Sequence, residues 1–359
     1  RHTRSCLKSR GLGDVYKRQE VPLLILLEFV QWASALPMAS VWVSHAMVMT
    51  GFGTLAVLGF LGWSVPGVLR GAKGRALLFS ALTVLSLGPP LIRLLDRGGL
   101  ELVVLDVGQG DAALLRSPRG RWILVDAGPR TSRYDAGAKA VVPYLRKRGV
   151  AELEFMILTH PDMDHVGGAA SVLAEIEIGA VLDPGMPAGT QVFLGALEAA
   201  RAGGVPWKVL QAGDSINLDG MALRVLAPEG GAGVGEGDGA NGASIVLEVR
   251  FGEFSALLTG DAPAESEGRF LNRTLSPRIS VLKVGHHGSS TSTSPELLRQ
   301  IGAEVALISA GRRNRFGHPT NQVLSRLRKE GIQIFRTDQS GALRVRAHGD
   351  GRYSVSTER

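Results

Sequence analysis

"THPDMDHVGG" (159–168) places two histidines and two aspartates within six positions, directly after the apolar run "EFMIL" (154–158). A buried strand end cannot hold two unpaired carboxylates. Either this is an acidic turn facing water, or the side chains converge on metal ions. In an extended turn alternate residues share a side, which brings His160, Asp162 and Asp164 together while His165 opens the next helix. Imidazole and carboxylate donors that close suit two divalent ions. Asp261, closing the strand "LLTGD" (257–261), is positioned to bridge them.

Working outward, "ELVVLDVGQGDAALLRS" (101–117) and "RWILVDAG" (121–128) read as strands around the turn signal "PRG". A helical stretch at 136–149 and the strand at "EFMILT" follow, then a helix from "GGAASVLAEI" and a strand–helix pair over 179–203. Short strands fall near 207–210, 216–218 and 222–226. The glycine-rich 228–242 has no strand–helix context for binding a nucleotide. Strands "SIVLEVRFG" and "FSALLTGD", a helix near 263–275, strand "ISVLKVG", helix 295–301, strand "VALISA", helix 320–330 and strands 332–336 and 342–347 complete the pattern. Strand runs followed by helices, twice over, predict an α/β protein with two sheets between layers of helices.

Of the histidines beyond residue 100, His160, His165, His286, His287 and His318 all sit at strand ends or in the loops just after strands; His348 reads as a surface residue. The lone cysteine, Cys6, excludes a disulfide framework and a thiolate metal site. Net charge is +7, yet residues 101–270 carry 14 basic and 23 acidic residues while 271–359 carry 15 and 6. An acidic half beside a basic half suits a metal site next to a phosphate-binding surface.

The first hundred residues read differently. Residues 1–19 have no periodicity and are expected to be a non-native or disordered segment. From Phe29 to Leu69 there are 41 residues without Asp, Glu, Lys or Arg, well beyond the roughly 20 that span a bilayer. The region 20–97 is therefore expected to lie in a membrane, with helices at 45–65 and 76–93. Arg70, Lys73 and Arg75 in the intervening loop favour the cytoplasmic side, which puts the remainder of the chain on the outer face. Arg93 and Arg97 on the far flank weaken that asymmetry.

"LDVGQGDA", "VDAG", "THPDMDHVGG", "LLTGD", "LKVGHHGS" and the His-Pro at 318–319, in that order, resemble the metallo-β-lactamase fold. More narrowly they resemble the C-terminal domain of the ComEC family, the competence channels that take up DNA. The resemblance implies a metallo-β-lactamase αββα sandwich over 98–350. It implies that His160 and Asp162 hold one metal, that Asp164 and His165 hold the other, and that Asp261 bridges, with His286 or His287 and His318 completing the set. On the same basis Asp164, Asp261 and His165 carry the catalysis. Asp126 supports the metal site, with Asp106 and Asp111 near it. Two departures stand out: Asp162 replaces a common histidine, and no histidine lies between His165 and Asp261. Both enrich the site in oxygen and shift the expected ions from Zn²⁺ towards Mn²⁺ or Mg²⁺.

Lys283, Arg312, Arg313 and Arg315, together with Ser289 and Ser290, are candidates for binding substrate phosphates. The arginines also read as a solvated basic loop, and the serines as a plain turn. The function expected is a membrane-tethered, metal-dependent nuclease that degrades one strand of incoming DNA at the bacterial inner membrane. Its partners would be single-stranded DNA, the lipid bilayer and other uptake proteins. The alternatives are hydrolysis of a non-nucleic phosphodiester or a lactam, or a non-catalytic domain that binds DNA or gates the channel.

Overall fold

The central strands of both sheets are largely apolar and buried on both faces, so they stack between helices instead of presenting one face to water. The computed structural model describes Ser80 and residues 98–358, apart from 231–238, 272, 274 and 275. The segment 1–19, the membrane region 20–97 and its expected helices at 45–65 and 76–93 therefore lie outside the described residues, save Ser80. Among the described residues no helix is long and apolar enough to cross a membrane.

In chain order the strands are β1 (Leu100–Val104), β2 (Ala113–Arg116), β3 (Trp122–Val125), β4 (Glu152–Ile157), β5 (Glu177–Asp183), β6 (Trp207–Val209), β7 (Ser215–Leu218) and β8 (Met221–Ala227). Then come β9 (Val246–Phe251), β10 (Phe254–Leu258), β11 (Val281–Lys283), β12 (Val305–Ile308), β13 (Gln333–Arg336), β14 (Ala342–Ala347) and β15 (Tyr353–Glu358). They form two mixed sheets, ordered β15-β14-β1-β2-β3-β4-β5-β6 and β13-β12-β11-β10-β9-β8-β7. Each is antiparallel through its hairpins and parallel where helices intervene: β3 to β6 in the first sheet, β10 to β13 in the second.

Alternation along the strands divides the core. Leu102, Leu115 and Ile123 face Leu223, Leu247 and Leu258 between the sheets. Their neighbours Val103, Leu114 and Leu124 turn the other way, onto α1 (Val142–Lys147) and α3 (Ala169–Glu175) through Leu145 and Val172. On the outer side of the second sheet, Leu257, Leu282 and Ala306 meet Phe270, Leu297 and Val323 of α5 (Ala264–Leu271), α6 (Pro295–Ile301) and α7 (Asn321–Lys329). The short α2 (Met163–Val166) and the longer α4 (Gln191–Ala202) complete the helices on the first side. Thr190, Ser294 and Thr320 cap α4, α6 and α7 by accepting from the amides three residues on. This is the α/β sandwich expected from the sequence.

Two details depart from the sequence pattern. The run 101–117 is two strands, because residues 105–112 leave the sheet through Gly108 and Gly110, both at positive φ (79° and 148°). The sheet also continues past residue 350, where the expected domain ended: β15 pairs with β14 along its whole length. Its polar alternation (Tyr353, Val355 inward; Ser354, Ser356 outward) is that of an edge strand, which a search for apolar runs passes over.

The doublet Gly167-Gly168 is demanded by close approach. A Cβ on Gly168 would lie 2.3 Å from the Ala127 carbonyl oxygen and 2.4 Å from the Gly137 nitrogen, both fixed backbone. Gly168→Ala should lower stability by about 1–3 kcal/mol through overpacking. Urea unfolding should show a lower midpoint at unchanged slope, and a midpoint equal to the parent's would show that the backbone yields there.

Candidate metal centre

Adjacent parallel strands end on the same side of a sheet, so the residues just beyond their carboxyl ends are brought together by topology. β3 delivers Asp126, β4 delivers Thr159 and His160, β10 delivers Asp261, β11 delivers His286 and His287, and β12 leads to the loop bearing His318. The two sheets are tied at this edge, where the Ile245 amide donates to the Thr159 carbonyl at 2.9 Å, and within the second sheet the His286 amide donates to the Gly260 carbonyl at 3.1 Å.

Asp164, His165, Asp261 and His287 form one cluster, each offering a ligand atom within 4.8 Å of all the others. His165 Nε2 lies 3.2 Å from Asp261 Oδ1, and His287 Nε2 lies 3.3 Å from Asp164 Oδ2 and 3.6 Å from Asp261 Oδ2. His286 approaches Asp261 Oδ2 at 3.7 Å, so both members of the histidine pair face the same carboxylate. His160 is buried against His165, with ring centroids 4.1 Å apart, and its Nε2 is 3.6 Å from Asp162 Oδ2. His318 stands 5.7 Å from the His286 ring. All eight residues expected as ligands thus gather at one strand-end pocket.

Each central histidine is aimed by a carboxylate behind it. Asp126 Oδ2 meets His165 Nδ1 at 2.8 Å and accepts from the Thr159 hydroxyl at 2.8 Å, while Oδ1 accepts from the Thr159 amide at 2.8 Å. Asp111 Oδ1 faces His287 Nδ1 at 3.3 Å, while its other oxygen is paired with Lys283. Such partners fix the ring and leave Nε2 directed into the pocket. Asp126, His286 and His287 all adopt left-handed backbone (φ 60°, 47° and 54°), a strain of order 1–3 kcal/mol each that functional sites tolerate.

The electrostatics follow from burial and proximity. Burial would lower the His287 pKa, yet Asp261 and Asp111 outweigh it and raise it to about 10. His165 is likewise raised well above its usual value against burial, by Asp261 and Asp126. Burial would raise Asp261, but His165 and His287 hold it well below the usual carboxylate range; Asp164 is lowered in the same way by the adjacent His287 and His165. Burial pushes His286 and His318 down, towards the neutral form that ligates metal.

The residues fit divalent cations. Buried ring and carboxylate atoms of His160 (Nε2), His165 (Nε2), Asp261 (Oδ1), His287 (both nitrogens) and His318 (Nδ1) lack hydrogen-bond partners, a pattern that ligation satisfies. A cation there would balance the carboxylates with the histidines neutral, displacing protons as it binds.

Other expected residues are placed differently. Lys283 was expected to meet substrate phosphate, but its side chain is 4% exposed and paired with Asp111, because β11 is a central strand with both faces covered. Asp106 is exposed and accepts from the Gly108 amide at 3.4 Å, outside the cluster. Ser289 is buried and bonded to Thr291 at 2.9 Å, a turn contact. Ser290, Arg312, Arg313 and Arg315 are exposed. Sequence reasoning passed over Thr159 and Ser244. Ser244 Oγ accepts from the Asp261 amide at 3.1 Å and lies 3.4 Å from His160 Nδ1. No pattern marks it, since it follows a glycine-rich loop and meets a residue 84 positions away. Asp126→Ala should weaken metal binding about 10–100-fold. Titration with Mn²⁺ or Zn²⁺ followed by calorimetry measures this, and affinity equal to the parent's would deny Asp126 its supporting role.

A model of the metallo-beta-lactamase superfamily matches residues 105–312. ComE operon protein 3 of Bacillus subtilis is 34% identical over 259 residues, covering 68% of this chain and 33% of that protein. Recombination protein 2 of Haemophilus influenzae is 36% identical over 258 residues (71% and 30%), and competence protein ComA of Neisseria gonorrhoeae 34% over 260 (72% and 33%). The matched region is about a third of the length of these relatives. Among solved structures, the metallo-beta-lactamase fold protein YhfI from Bacillus subtilis aligns at 11% identity over 72% of this chain and 100% of its own, with a TM-score of 0.44. The family match over residues 105–312 and the relatives at 34–36% identity make the chain a member of the metallo-beta-lactamase superfamily, similar within it to competence proteins of the ComEC family.

Proposed function

We propose that this chain is the hydrolytic part of a DNA-uptake protein, a metal-dependent nuclease that cuts phosphodiester bonds of incoming DNA. The observation carrying this reading is the cluster Asp164, His165, Asp261 and His287, in which His165 Nε2, Asp261 Oδ1 and both His287 nitrogens are buried without a hydrogen-bond partner. The names of the competence relatives supply the biological setting.

In this reading His160, Asp162, Asp164, His165, Asp261, His286, His287 and His318 would hold two divalent ions, Mn²⁺ or Zn²⁺ with Mg²⁺ also suited: His160 and Asp162 would serve one, Asp164 and His165 the other, and Asp261 both. Bound there, such ions would supply an acidified water and charge compensation for phosphoryl oxygens. The protein's own groups prepare that chemistry. Asp126 and Asp111 hold the rings of His165 and His287 so that Nε2 faces the substrate. Asp164, with a side chain about one-third exposed (34%), stands where a proton can pass between the pocket and water. Arg312, Arg313 and Arg315, exposed just before His318, attract the phosphate backbone. Ser290 lies exposed in the loop after His287 and is kept as a substrate contact.

The same reading places 98–358 as the hydrolase domain and 20–97 as a bilayer-inserted region of a multi-pass inner-membrane protein. The hydrolase faces the outer, periplasmic side, where single-stranded DNA and other uptake proteins would meet it. The supporting features are the uncharged run 29–69 and the basic loop at 70–75.

The test is cleavage of end-labelled single- and double-stranded DNA by the full chain in detergent, with EDTA, Mn²⁺, Mg²⁺ or Zn²⁺, beside Asp164→Ala. Cutting should require metal and be abolished in the variant. Absence of DNA cleavage by a folded, metal-loaded protein, with turnover of bis(p-nitrophenyl) phosphate retained, would move the assignment to a non-nucleic phosphodiester. Loss of both would leave a binding role.

A further inference from the structure

We infer that Phe316 is a stacking site for an unpaired nucleobase, placed so that a single strand reaches the metal centre with one base held beside it. This rests on the nuclease reading above and names its substrate as unpaired nucleic acid.

Phe316 is 55% exposed, and among the described residues it is the only exposed phenylalanine, tyrosine or tryptophan. An aromatic ring left in water usually has a partner to meet. Its surroundings indicate the partner's chemistry. The ring stacks on His318, with centroids 5.8 Å apart and planes 27° from parallel. His318 in turn meets His286 at 5.7 Å, and His286 faces Asp261 at 3.7 Å. The aromatic series therefore leads from open solvent to the carboxylate at the heart of the cluster.

The loop that carries Phe316 is rigid where it needs to be. Asn314 donates to the Gly311 and His318 carbonyls, each at 2.7 Å, and accepts from the His318 amide at 3.0 Å. The Gly311 amide is held by Gln109 at 3.1 Å. Phe316 is thus presented on a pinned turn, with little conformational freedom left to lose on binding. Charge complements the ring: Arg312, Arg313 and Arg315 all lie within four positions of it and are exposed. The Arg315 guanidinium sits 5.1 Å from the Phe316 centroid, and such a plane can extend a base stack or move aside to a phosphate. An aromatic platform set among cations is how single strands are held without base sequence preference. In a duplex each base face is already stacked and unavailable. An apolar ring among arginines also suits a lipid headgroup layer, but membrane contact gives no reason for the ring to continue an aromatic series inward.

The experiment uses the full chain in detergent with EDTA present, so that nothing is cut, and fluorescence anisotropy of labelled oligonucleotides as readout. The probes are a single-stranded oligothymidylate, the same length carrying a run of abasic sites, and a duplex. Phe316→Ala should weaken binding of the single strand roughly 5–100-fold, leave the abasic strand and duplex unchanged, and retain the parent's circular dichroism. Phe316→Trp should restore the affinity and Phe316→Leu should not. Equal loss for base-bearing and abasic strands, or no loss at all, overturns the inference while the nuclease reading stands. Binding of anionic phosphatidylglycerol vesicles that falls with Phe316→Ala, while oligothymidylate binding does not, assigns the ring to a membrane and likewise overturns it. A parent protein that neither binds nor cuts any oligonucleotide removes both readings together.

Discussion

Three carboxylates, Asp111, Asp126 and Asp261, are each no more than 2% exposed at a single edge of the sandwich, and each must face cations or hydrogen-bond donors to remain there. Much of the local architecture answers that demand. Lys283 gives up its place as a surface cation to pair with Asp111. Thr159 spends both amide and hydroxyl on Asp126. Asp261 alone is served by rings from three directions, His165, His286 and His287. Removing any one of these partners leaves a buried charge exposed to nothing, which costs more than the partner's own packing.

The demand explains why the backbone is bent where it is. A strand that ended in ordinary extended geometry would carry its last side chain on past the sheet edge. Asp126, His286 and His287 instead turn into the left-handed region immediately after β3 and β11, bringing polar groups back over the strand ends. Gly110 serves the same purpose from the other side. Its positive φ lets the chain pass so close to the Asp164 carbonyl that a Cβ would lie 2.4 Å from it, and the next amide, Asp111, donates to that carbonyl at 3.1 Å. The loop before β2 and the loop after β4 are thereby locked together, and with them Asp111 and Asp164.

This also marks what a sequence can and cannot disclose. The order of strands and helices was legible because burial writes its period into the chain, as in "EFMIL" or the helix 295–301, whose serine cap and proline start are local signals. The gathering of histidines and aspartates was legible because each follows an apolar run that reads as a strand. Lys283 was misread because a lone lysine after an apolar run looks like a solvent-facing end. Only the neighbours of β11 in the sheet, β10 and β12, reveal that the end is enclosed. Ser244 beside His160 and Gln109 beneath Gly311 are contacts across 84 and 202 positions, and no local pattern encodes them.

The charge contrast between the two halves of the chain needs the same correction. The excess of basic residues after 271 suggests a broad cationic surface, but most of the arginines with assigned contacts are engaged in holding the fold. Arg344 bridges Glu101 at 3.0 Å on the first sheet, Arg336 binds Asp338 at 2.7 Å, and Arg278 binds Glu304 at 2.8 Å. Arg326 clamps the Ser290, Ser292 and Thr293 carbonyls beside the histidine loop. What reaches the mouth of the pocket is one loop, 312–316, where three arginines flank an exposed phenylalanine stacked on a histidine of the site. The acidic half supplies the carboxylates of the cluster, the basic half supplies His286, His287 and His318 with them, and the exposed arginines nearest those histidines in sequence lie on one loop held by Asn314 and Gln109.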